Sequence, residues 1–120
     1  MKRLNIDIET YSDRDLQKSG VYGYVDSPEF EILLFGYAVD GGKVSVVDLA
    51  SGEMLSDQIL KALTDPSVLK IAFNAQFERT CIGHFLGKKL DPREWRCPFT
   101  LGFLDRLQGW ALCLVLRSRS

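Results

Sequence analysis

The 120-residue sequence predicts a mixed α/β domain: three antiparallel strands, then a helix–strand–helix crossover. Three observations carry this expectation. Leu4, Ile6 and Ile8 alternate with Asn5, Asp7 and Glu9, the period of two that marks a half-buried strand. The apolar run at residues 31–39 is followed by Asp40-Gly41-Gly42, a tight-turn signal, and then by a second apolar run at residues 43–49. Two stretches at helical spacing, Ile59-Leu60-Leu63 and Phe77-Cys81-Phe85, flank the compact apolar run at residues 68–73. A mixed sheet with helices against its faces satisfies all three.

The elements follow in order. The first strand leads into a polar stretch at residues 11–30, rich in Ser, Asp, Gly and Tyr, read as connecting chain. The two runs around Asp40-Gly41-Gly42 form a hairpin. The helix begins near Ser56 and is closed by Asp65-Pro66. Residues 68–73 lack alternation, so that strand is expected to be central and parallel to the first, with the helix as crossover. Asn74 opens a second helix with Gly87 as its C-cap. Asp91-Pro92 starts a short helical turn, Asp as cap and Pro at the first position.

Length fits one domain with its own core. The formal net charge of −1 and pI near 5.8 do not announce a nucleic-acid binder, although a local basic groove can operate on a neutral domain. Three widely spaced cysteines with one histidine argue against a zinc site or a disulfide framework. No signal segment precedes the first strand and no apolar run reaches spanning length, so a cytoplasmic protein without membrane partners is expected.

Asp7 and Glu9 lie on one face of their strand, roughly 7 Å apart. Two like charges that close repel, and each raises the other's pKa. Either that face opens to water, the ordinary situation for acids, or a cation belongs there. Ligands in such sheets bind outside the carboxyl ends of parallel strands, which places Asn74 and Glu78 near the same end as Asp7 and Glu9.

The ordered pair NIDIET and NAQFE resembles the first two motifs of the 3′–5′ proofreading exonucleases with an RNase H-like fold. The likeness is to the N-terminal exonuclease region of phage-type, family A DNA polymerases. Asp7, Glu9 and Thr10 match the first motif; Asn74 and Phe77 match the second, with Glu78 where most such nucleases carry Asp. The resemblance covers residues 4–97. It implies two Mg²⁺ or Mn²⁺ ions held by Asp7, Glu9 and Glu78, with hydrolysis of the 3′-terminal phosphodiester of DNA. It also implies that Thr10, Asn74 and Phe77 position the terminal nucleotide of single-stranded DNA or of a DNA 3′ end.

The family's third motif, a Tyr or His followed four residues later by Asp, is not found after Cys97. No last sheet strand of the usual kind is legible either. A partial exonuclease domain at residues 1–103 and an atypical, out-of-frame tail at residues 104–120 are therefore expected, with weak metal binding and doubtful activity. A catalytically inactive nucleic-acid-binding or partner-binding remnant is the alternative. Self-association is expected through the apolar tail or an incomplete sheet edge. Phe77, Cys81 and Phe85 read as core. His84 reads as a surface or interhelix residue, and Tyr22 and Tyr24 as packing or base-stacking groups. Lys88-Lys89 reads as a solvated turn or a phosphate contact.

Overall fold

The computed structural model describes residues 1–97, so the boundary expected at residue 104 lies outside the described residues. They form β1 (Arg3–Tyr11), α1 (Leu16–Asp26), β2 (Glu31–Val39), β3 (Val44–Asp48), α2 (Asp57–Thr64), β4 (Leu69–Ile71), α3 (Ala75–Leu86) and β5 (Trp95–Arg96). The sheet order is β3-β2-β1-β4-β5, antiparallel across the first three strands and parallel at β1–β4 and β4–β5. This is the expected RNase H-like mixed α/β architecture, with β1 at its centre.

Local chemistry explains the elements. The β2–β3 hairpin turns at Asp40 (φ 50°) and Gly41 (φ 75°), two consecutive left-handed residues, and Gly42 N–H donates to the Val39 carbonyl at 2.9 Å. Such a turn matches the twist of the strands it joins, and Asp-Gly is among the few pairs that tolerate it. Ser56 caps α2 by accepting from Ile59 N–H, and Asn74 caps α3 by accepting from Phe77 N–H. Each satisfies one orphan donor of a helix start. Gly87 closes α3, as expected.

Two elements depart from the sequence reading. The polar stretch after β1 contains a helix, α1, capped by the Asp15 side chain and broken at Gly20 (φ 72°, ψ 173°). Its two glycines, its broken axis and its single buried residue, Val25, hide any amphipathic stripe. A last parallel strand is present too: β5, two residues long, pairs with β4 through Lys70↔Trp95 and Ile71↔Arg96. Two residues are too few to show any periodicity.

One face of the sheet, with Leu4, Ile6, Ile8 and Phe35, joins Ile59, Leu63, Cys81 and Ile82 from α2 and α3 in the main core. Cys81 is fully buried, whereas Phe85 is 46% exposed, so only part of the expected Phe77-Cys81-Phe85 stripe is core. Strand alternation puts Asn5, Asp7 and Glu9 on the other face. The sequence gives no hint of Lys70, which is fully buried in β4. Its ammonium donates to the Asp65 carbonyl at 2.7 Å and to Glu94 Oε1 at 2.8 Å, so the charge is paired.

Candidate active site

The site forms where β1 outruns β4. The parallel pairing covers only Arg3, Leu4 and Asn5, ending at Asn5↔Ile71. Beyond it, β1 continues alongside β2 alone, and α3 begins a few residues after β4 ends. The start of α3 therefore comes against the unpaired edge of β1. Glu78, one turn into the helix, uses that edge: its carboxylate accepts a hydrogen bond from the Ile8 backbone N–H.

Glu78 is buried, 5% exposed, and its Oε2 has no hydrogen-bond partner. Burial pushes its carboxyl well above the usual glutamate range, the Asp7 charge pushes it further, and the Ile8 N–H only partly offsets them. The structure thus brings Asp7 and Glu78 together across the strand–helix junction. Burial, with the Glu78 charge added, also raises the Cys81 thiol, one turn along α3, to about 12. Glu9 lies on the Asp7 face of β1, half-buried. Among the described residues no three His, Cys, Asp or Glu side chains are grouped to hold a metal ion. The pair is present, and the expected cluster of three is not drawn together; the hydrogen bond to Ile8 N–H and the burial of Glu78 hold its carboxylate at the strand edge.

The neighbouring positions are fixed by aromatic packing. The β1–β2 register shifts between Glu9 and Thr10, a bulge that re-aims side chains at the strand end. Thr10 Oγ1 and Tyr24 Oη are 2.8 Å apart in a hydrogen bond, and Ser12 Oγ donates to the Tyr24 carbonyl at 2.8 Å. The Tyr24 ring packs on Phe77 with centroids 5.9 Å apart and edge-on to Phe30 at 5.7 Å. Phe77 and Asn74, with Leu16, Val21 and Gln76, line a cleft of about 310 Å³ at the start of α3. The Asn74 oxygen is committed to the helix cap. Tyr24, expected as packing or as a base-stacking group, does pack; its hydroxyl bond to Thr10 is the part that the sequence did not show.

The carboxylate pair fits a hard divalent cation. A buried, orphaned oxygen beside a second carboxylate is costly without a positive partner, and oxygen donors of this kind suit Mg²⁺ or Mn²⁺.

No protein-family model matches the chain. It is 49% identical over 123 residues to a DNA polymerase of Bacillus phage SP02, a match that takes in 99% of the chain and 19% of the polymerase. The chain thus spans about a fifth of that relative's length. Among solved structures it is similar to Brucella melitensis NrnC bound to pGG (TM-score 0.57, 19% identity), covering 80% of this chain and 40% of that one. NrnC with bound Mg²⁺ gives a TM-score of 0.55 at 20% identity, over 80% and 41% of the two chains. Among the described residues, no helix is long and apolar enough to cross a membrane. The chain is homologous to one portion of a phage DNA polymerase and has an RNase H-like fold.

Proposed function

We propose that the chain is the N-terminal 3′–5′ exonuclease region of a phage-type, family A DNA polymerase, acting on the 3′ end of single-stranded DNA. The observation that carries this reading is the buried Glu78 carboxylate, with an unpartnered oxygen, set against Asp7 at the open edge of β1. Asp7 and Glu78 would hold the cation, with Glu9 next to them on the strand face. Two such ions, when bound, supply Lewis-acid stabilisation of the phosphodiester and lower the pKa of the attacking water. Thr10, held by Tyr24, and Phe77, backed by the same ring, position the terminal sugar and base. Asn74 fixes the helix start that presents Phe77 and Glu78. NrnC, bound to pGG in one structure and Mg²⁺ in another, supports a short nucleic acid and a divalent ion as ligands.

The sequence after Cys97 carries no Tyr or His followed four residues later by Asp, and Glu78 is one methylene longer than Asp. A misplacement of about 1 Å costs roughly a hundredfold in rate. We therefore expect slow hydrolysis, and the longer side chain at residue 78 keeps a second reading in view, a nucleic-acid-binding domain without catalysis. Thermal unfolding with Mn²⁺ tests the site. A rise in midpoint that disappears in Asp7→Ala supports it, and an equal rise in both proteins overturns it. Digestion of 3′-labelled single-stranded DNA with Mn²⁺ separates the two readings, since Asp7-dependent release of mononucleotides occurs only in the first.

A further inference from the structure

A second cleft, of about 530 Å³, opens between α1, α3 and the segment that follows α3, and neither Asp7 nor Glu78 lines it. Its volume lies in the range of small-ligand sites. Tyr22 and Val25 of α1, Arg79 and His84 of α3, and Lys88 and Lys89 beyond α3 line it, and no Asp or Glu does among the described residues. Residues 1–97 carry a net charge of −3, so three cations gathered without an acid run against the charge of the domain. Asp91, just beyond the lining residue Leu90, is held by Arg93 Nη2 at 2.8 Å.

The cleft is built into the fold. Arg79 Nη1 donates to the Leu90 carbonyl at 3.5 Å, fixing the guanidinium to one wall. A Cβ at Gly83 would lie 2.7 Å from the Lys88 carbonyl, so only glycine lets the segment with Lys88 and Lys89 fold this tightly onto α3. Tyr22 stands 66% exposed at the rim, a large aromatic face open to solvent. The ring contacts Phe77–Tyr24, Tyr24–Phe30 and Phe30–His84 run along one seam, from the active site to this cleft. From Glu78 to His84 the helix rises about 9 Å. That span is two to three nucleotide steps at about 3.4 Å each.

We infer that this cleft binds the single-stranded nucleic acid leading to the 3′ end. Lys88 and Lys89 neutralise backbone phosphates, and Tyr22 stacks on a base two or three nucleotides upstream. The inference rests on the exonuclease reading for the placement of the 3′ end. Cationic grooves with exposed aromatic faces suit single strands of any sequence, because every base has a π-face.

Fluorescence anisotropy with the full chain carrying Asp7→Ala, in EDTA, tests this with 5′-fluorescein dT2 and dT8. The longer strand is expected to bind at least about tenfold more tightly. Tyr22→Ala should weaken dT8 by about tenfold, in line with roughly 1–3 kcal/mol per stacked base. Lys88→Glu/Lys89→Glu should abolish the advantage of dT8 and lower its salt slope by about 1.4, at about 0.7 per phosphate. Lys43→Glu/Lys61→Glu makes the same charge change at exposed positions elsewhere and should leave the advantage intact. Equal binding of dT2 and dT8, or equal loss in both double variants, overturns the inference while leaving the Mn²⁺ test of Asp7 untouched. A dT8 advantage that depends on Lys88 and Lys89 sustains the cleft even if that Mn²⁺ test fails.

Discussion

Among the described residues, Lys70 and Glu78 are the two acidic or basic side chains that the fold buries most completely, and it treats them in opposite ways. Lys70, on β4, meets a carboxylate and a carbonyl within 2.8 Å. Glu78, on α3, meets one backbone N–H and a second acid, and one of its oxygens has no partner. The same small domain therefore can build a satisfied buried charge, and at β4–β5 it does. Among the described residues, no positive group is recorded against Glu78. On the proposed reading, a divalent cation would complete the pair in the way that Glu94 completes Lys70.

The largest expected effect lies on the satisfied side. Glu94→Ala strands the Lys70 ammonium in a fully buried position and should destabilise the domain by about 3 kcal/mol, read from urea unfolding. A loss below about 1 kcal/mol would show that Lys70 finds water instead.

Glu78→Gln should have the opposite sign. It removes a charge that burial and Asp7 disfavour, so at pH 8 without metal the variant should be more stable by about 1–3 kcal/mol. For a domain of this size that is a midpoint rise of several degrees. The same variant should lose the Mn²⁺ response. Destabilisation at pH 8 would mean that the two buried charges are not opposites after all.

The pH dependence sharpens the contrast. The folded state raises the Glu78 carboxyl above its ordinary value of 4.5, so it holds a proton that the unfolded chain releases. The stability this group contributes is fully present below pH 4.5 and is lost as pH rises through the raised folded value. A divalent ion competes with that proton, so the Mn²⁺-induced rise in midpoint should be larger at pH 8 than at pH 5. A response independent of pH would remove Glu78 from the ligand set.

The smallest effect concerns the support for the pair. Tyr24→Phe keeps the ring packing on Phe77 and Phe30 but deletes the bond to Thr10, and should cost about 1 kcal/mol in thermal or urea unfolding.

The sequence made β1, the Asp40-Gly41 hairpin, α2, α3 and the parallel placement of β4 legible, because each rests on local chemistry: alternation, a left-handed turn pair, or a side-chain cap. It concealed α1, whose glycines break both its axis and its pattern, and β5, which exists only as two residues pairing with β4. At the site, spacing put Asp7 and Glu9 on one face and Asn74 at a helix start. That Glu78 is buried, that it takes the Ile8 N–H and that Lys70 has Glu94 are tertiary facts with no local signature. The basic cleft was equally hidden, since Tyr22, Arg79 and Lys88 become neighbours only when α1 packs on α3.

The central place of β1 also governs when the site can exist. Asp7 emerges from the ribosome well before Glu78, and β1 gains its second neighbour only when residues 69–71 pair with residues 3–5. Contacts of such long sequence separation close late, after a large loop entropy has been overcome. Nascent chains stopped before residue 78 would thus carry Asp7 and Glu9 without Glu78, and the buried Glu78 carboxylate becomes a marker for chains in which β1 has been enclosed on both sides.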